Sequence, residues 1–281
     1  LAEEREMTFL DHLDVLRGHL IRIVIAILVA AIVAFANMPY IFHHIILAPA
    51  RTDFITYRAL CKISTWVCTN WPVLCDAGSS LCVDKIDFAL QSRSMSGQFT
   101  MHITASLVGG LIIAFPYIVW EIWRFIKPAL YPGEKKSTSG SVFFVTILFA
   151  AGVLFGYFII APLSINFLAN YKLDPSIQNF FDITSYISTI CLLVLGSGLM
   201  FQLPVLVYIL TSIGMITPAY MRKYRKHAVI LNFVIAAFIT PSPDMFTMTL
   251  VALPLLFLYE LSIFISGYAL KKQAKAEKIN S

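Results

Sequence analysis

Pro116–Lys136 reads PYIVWEIWRFIKPALYPGEKK and decides how the rest of the chain is organised. An apolar helix runs into an aromatic belt at Trp120 and Trp123. It then enters a short polar loop in which Glu134 stands between a proline-glycine turn and two lysines. Such a change marks the exit of a membrane crossing. Composition places the whole chain in the same class. Of 281 residues, 58% are hydrophobic and only 13% charged, and the mean hydropathy is +0.78. Soluble domains carry about 25% charged residues, so the chain reads as a polytopic, all-α membrane protein.

Outward from that stretch, apolar segments predict six spans, at approximately 20–36, 99–126, 142–168, 183–210, 228–240 and 246–268. The chain opens on Leu1, so its natural start is expected upstream or near Met7. The first apolar segment is long and lacks a small-residue cleavage site, so no cleaved signal peptide is expected. Before it, Phe9, Leu13, Leu16 and Leu20 fall on one face of an amphipathic helix, FLDHLDVLRGHL. Residues 40–97 hold Pro49, Pro72 and Gly78 among mixed charges and read as a cap with short amphipathic pieces. The segment 228–240 has only about 13 apolar residues, which cover ~20 Å of a ~30 Å hydrocarbon core. A thinned bilayer beside it is the expectation. No internal repeat is visible.

Lysine and arginine orient the spans. One side, from Arg5 and Arg17 through Arg124, Lys135 and Arg222 to the tail, holds 15 of the 21; the other, mostly the cap, holds 6. Both termini are therefore expected in the cytoplasm and the cap outside. The net charge of +5 sits at the ends of apolar segments, which argues for a bilayer and against nucleic acid.

Cys61, Cys68, Cys75 and Cys82 all lie in the cap, where an oxidising compartment permits one or two disulfides; three pairings stay open. Zinc ligands usually pair two to four residues apart, a spacing absent here, and no metal or cofactor is expected. Glu134 is either a solvated carboxylate beside two lysines or a docking group for a guanidinium, which a carboxylate binds through two parallel hydrogen bonds. Pro116, Pro162, Pro204 and Pro254 sit inside spans and predict a kinked, concave bundle. Gln202 and Asn232 are polar groups within spans, suited to interhelical hydrogen bonds. Glu121 is expected to pair with Arg124 at i+3. Gly196-Ser197-Gly198 resembles a serine-protease motif, but no histidine lies at matching depth, and small residues that pack helices explain it better.

The motifs FLDHLDVLRGHL, FIKPALYPGEKK, GVLFGYFIIAPLSINFL, QLPV and TPSPD…ALPLLFLYE, in this order from about Phe9 to Gly267, resemble the TatC family. That family is the multispanning receptor subunit of the twin-arginine protein translocase. The resemblance implies export of folded proteins across the cytoplasmic (inner) membrane, driven by the proton-motive force, without enzymatic chemistry. It implies twin-arginine signal peptides and single-span TatA/TatB-type subunits as partners, and self-association. The implied signal-peptide site comprises Glu134, Phe125, Pro128, Leu130 and Tyr131 with Leu13, Asp14, Leu16 and Arg17. The implied concave face and partner contacts fall at Gln202, Met248 and Asp244, with Pro49 in the first outer loop. Three positions depart from the family. Val15 stands where a glutamate is common; Asp14 and Asp11 are the candidates to replace it, although Asp14 lies about 100° around the helix from position 15. Gln202 replaces a glutamate of the fourth span, and Met248 a glutamine of the sixth. A small-solute secondary transporter is the alternative that broken helices and Gln202 would also suit.

Overall fold

The computed structural model describes residues 9–70, 82, 88–126, 138–174, 176, 179–240 and 245–280. In chain order the elements are α1 (Phe9–Ala36), α2 (Met38–Ile41), α3 (Ile55–Asn70), β1 (Ala89–Gln91), α4 (Gly97–Ile126), α5 (Thr138–Phe155), α6 (Ala161–Asn170), β2 (Phe180–Asp182), α7 (Ile183–Met200), α8 (Leu203–Ser212), α9 (Pro218–Lys223), α10 (Arg225–Ile239) and α11 (Met245–Asn280). Among the described residues, five stretches are long and apolar enough to cross a bilayer: Asp14–Ala36, Gly97–Phe125, Val142–Asn170, Ile183–Thr211 and Met248–Tyr268. The chain is mostly helical, as its composition demands.

Small residues set how closely the long helices approach. α1 turns Leu20, Val24, Ile25, Leu28, Val29 and Ile32 outward, and buries Ala31 and Ala34 against α4. A Cβ on Gly110 would stand 2.5 Å from the Ala31 backbone nitrogen, so only glycine permits this crossing. The α5–α7 contact follows the same rule, since a Cβ on Gly152 would meet the Ser197 carbonyl at 2.7 Å. Ser197 itself is buried and donates to Leu193 O at 2.6 Å, the packing role expected for Gly196-Ser197-Gly198. Phe115 of α4 stacks on Phe149 of α5 with centroids 3.5 Å apart, and Val119 and Val145 complete that part of the core. A second cluster joins Ile160, Ala161 and Leu193 to Ala236 of α10 and to Val251, Ala252 and Leu255 of α11.

The four prolines divide into two kinds. Pro116 and Pro254 lie within the continuous helices α4 and α11. Pro162 follows a π-helical turn, Gly156–Ile160, that separates α5 from α6. Pro204 sits in the first turn of α8, after the break at Phe201 and Gln202. Proline has no N–H for the carbonyl four residues before it, so helices tend to yield where it stands.

The cap closes on one of these interruptions. Thr56 of α3 donates to Phe158 O, the carbonyl that Pro162 cannot serve. The Tyr57 hydroxyl lies 2.7 Å from Pro162 O and 3.0 Å from Pro49 O, with the phenol almost wholly enclosed. Cys61 of α3 is disulfide-bonded to Cys82, and Cys68 is also disulfide-bonded. Cys75 lies outside the described residues. Strands are the feature that helical patterning did not anticipate. β1 pairs in parallel with β2, Leu90 opposite Phe181, and ties the chain before α4 to the chain before α7. Three-residue strands leave too short a record for a period-two pattern to register.

Candidate functional site: a buried carboxylate where α1 meets α4

At one end of the α1–α4 pair, α4 carries a glutamate on its inward face. Glu121 is 0% exposed. Its Oε1 accepts hydrogen bonds from His19 Nδ1 at 2.8 Å and from Arg22 Nη1 at 2.9 Å, both on α1. His19 is largely covered, with 12% of its side chain exposed, whereas Arg22 is 51% exposed and borders the site on its open side. Oε2 has no hydrogen-bond partner among the described residues. A buried carboxylate is costly unless charge and hydrogen bonds compensate it, and here both compensating groups crowd onto one oxygen.

The arrangement corrects the expected Glu121–Arg124 pair. Three residues on, Arg124 points outward and lies over the Trp120 ring, 5.6 Å from its centroid. Glu121 faces the neighbouring helix, so its cations come from there. Sequence reasoning counted Arg22 only among the cations that orient the spans and assigned neither it nor His19 to a site. A signal was present: the two are three residues apart on one helix face, near the end of the first apolar segment. A glutamate at the corresponding end of the second apolar segment needs such partners.

Other expected site residues can now be placed. Asp14, Leu16 and Arg17 lie exposed on α1, as does Val15. Phe125 is half-buried on α4, one turn beyond Glu121, and meets the His19 ring edge-on at 5.7 Å. The structure thus brings Phe125 and the start of α1 to one place. Leu13 falls on α1, with its side chain outside the described residues; Pro128, Leu130, Tyr131, Glu134 and Asp244 lie outside them entirely.

The concave-face candidates scatter. Gln202 is half-buried at the α7–α8 break and its Nε2 donates to Val145 O of α5 at 3.1 Å. Met248 packs beside Val251 and Ala252 in the α10–α11 core. Pro49 is fully buried against the cap, its carbonyl taken by Tyr57. Asn232 of α10 is buried, and its Nδ2 has no partner among the described residues. Glu260 pairs with Arg225 at 2.6 Å, half in solvent.

The family model for TatC, Sec-independent protein translocase protein, matches residues 11–254. The chain belongs to the TatC family. Among relatives, the Sec-independent protein translocase protein TatC of Blattabacterium sp. subsp. Periplaneta americana is 40% identical over 271 residues, 96% of this chain and 99% of that one. TatC of Carboxydothermus hydrogenoformans is 31% identical over 276 residues, covering 98% and 99%. In three dimensions the chain is similar to a crystal structure of the twin arginine translocase receptor TatC, with TM-score 0.69 and 33% identity over 92% of this chain and 99% of that one. This TatC-family chain is a membrane protein with several apolar helices, and the family is one of translocase receptors rather than of enzymes.

Proposed function

We propose that the chain is the signal-peptide receptor of a twin-arginine translocase, which passes folded proteins across the cytoplasmic membrane at the expense of the proton-motive force. One observation carries this reading: sequence and fold agree with a twin arginine translocase receptor over nearly the full length of both chains. The comparisons give no support to small-solute transport. In this reading the chain crosses six times, and α10 is the fifth crossing in chain order, added to the five long apolar stretches. Its 15 residues reach ~22 Å, short of a ~30 Å core. It starts beside the basic run Arg222–Lys226 and buries Ala236 against α11. An even number of crossings puts both termini on the lysine- and arginine-rich side, the cytoplasm, and the disulfide-bearing cap outside. The signal peptide binds at the α1–α4 end, where α1 reaches Phe125 through His19, using Asp14, Leu16, Arg17 and Phe125 together with Leu13, Pro128, Leu130, Tyr131 and Glu134. Gln202, Met248, Asp244 and Pro49 belong to the concave face and its contacts with single-span partner subunits.

Photo-crosslinking of the reconstituted protein to a twin-arginine peptide, against a twin-lysine control, tests the reading. Labelling restricted to the arginine peptide and lost in Glu134→Ala is expected. Equal labelling of both peptides by well-folded protein would refute it.

A further inference from the structure

The unused oxygen of Glu121 is the feature that the proposed function leaves unexplained. A carboxylate offers two oxygens to the two-pronged edge of a guanidinium, yet Arg22 reaches only Oε1 and shares it with His19. Oε2 is sealed from solvent and unpartnered among the described residues, a state that costs free energy until a donor arrives. The group lies one turn from Phe125, and His19 touches both, so it borders the surface assigned above to the signal peptide. Val15 is exposed on α1 and supplies no carboxylate, so the acids of that stretch of α1 are Asp11 and Asp14.

We infer that Glu121 is a second arginine-binding carboxylate of the signal-peptide site, held closed by Arg22 until one arginine of the peptide exchanges with it. This rests on the receptor reading. Exchange is physically cheap because one cation replaces another, so the buried carboxylate is never left without a counter-charge. The incoming guanidinium enters from the side that half-exposed Arg22 now occupies, and takes Oε1 and Oε2 together. His19 keeps its bond to Oε1 and its contact with Phe125. A lysine ammonium cannot span both oxygens, so exchange favours arginine.

The test uses the full chain in lipid nanodiscs and the affinity of a fluorescent signal peptide in its twin-arginine form, both single-lysine forms and the twin-lysine form. Glu121→Gln keeps shape and loses charge. It should weaken the twin-arginine peptide about tenfold and abolish the arginine preference at one of the two positions only. Arg22→Lys keeps the charge balance with a poorer competitor, and should tighten that peptide several-fold. The gain should vanish in the double variant Glu121→Gln/Arg22→Lys. Size-exclusion profile and melting midpoint confirm folding, and Arg22→Lys reports even where Glu121→Gln folds poorly. Full discrimination at both positions in Glu121→Gln, or weakening in Arg22→Lys, would overturn the inference and leave Glu121 a fastening between α1 and α4. Failure of the wild-type chain to prefer twin arginine would instead sink the receptor reading itself.

Discussion

Replacing Tyr57 by phenylalanine removes one hydroxyl and keeps the ring that fills its enclosed site. That hydroxyl serves two carbonyls, Pro49 O at 3.0 Å and Pro162 O at 2.7 Å, and through them holds α3 against the α5–α6 interruption. An orphaned buried acceptor costs ~1–3 kcal/mol, and a helical carbonyl such as that of Pro162 keeps a second lone pair for its own helix. The expected loss is therefore ~1–2 kcal/mol, or roughly a tenfold rise in local opening. Amide exchange across α3 in the reconstituted protein reads it directly. Tyr57→Ala should cost more, ~3–5 kcal/mol, because the ring volume goes too. The pH dependence has a definite sign. Burial pushes the Tyr57 phenol well above its ordinary range, so the docked form stays neutral where an undocked phenol ionises. Its contribution is complete below the ordinary tyrosine value of about 10 and falls as pH rises beyond it. Wild-type α3 should loosen in alkali by a step that Tyr57→Phe lacks. Identical exchange in the two proteins, at neutral and alkaline pH alike, would show that the hydroxyl does not hold the cap.

Cys61→Ser should loosen the cap as well. A disulfide closing 21 residues of separation constrains the undocked chain by about 3 kcal/mol on the loop-entropy model, and proteolysis of the cap should accelerate accordingly, as it should when wild-type protein is reduced. Unchanged cleavage in Cys61→Ser would show that the Cys61–Cys82 bond does not hold the cap. Gln202→Glu, which restores the carboxylate usual in the family, should destabilise this chain by ~1–3 kcal/mol, since an ionised carboxylate cannot donate to Val145 O and repels it. A melting midpoint equal to wild type at neutral pH would refute that.

The crossings were legible in the sequence because a bilayer imposes a one-dimensional demand, a long run of apolar residues with cations at one end. Five long apolar stretches of the described residues are helical over lengths that could cross a bilayer. α10 shows the limit, since 15 residues satisfy helix patterning without reaching span length, and its crossing remains a proposal. The resemblance to the TatC family was legible because several of its motifs, among them FIKPALYPGEKK and QLPV, stand in order along the chain.

What the sequence by itself determined was thus which residues avoid water, where polar stretches interrupt them and to which family the pattern belongs. Tertiary structure alone decided who faces whom. Glu121 had a cation three residues away and bonded instead with His19 and Arg22, because it lies on the side of α4 that packs on α1. The carbonyl that Pro162 abandons found Thr56, more than a hundred residues earlier in the chain. Cys61 chose Cys82 among the cysteines of the cap. Each pairing depends on rotation about a helix axis and on the distance between helices, fixed by glycines such as Gly110 and Gly152. Neither quantity is local, so neither leaves a periodic trace along the chain.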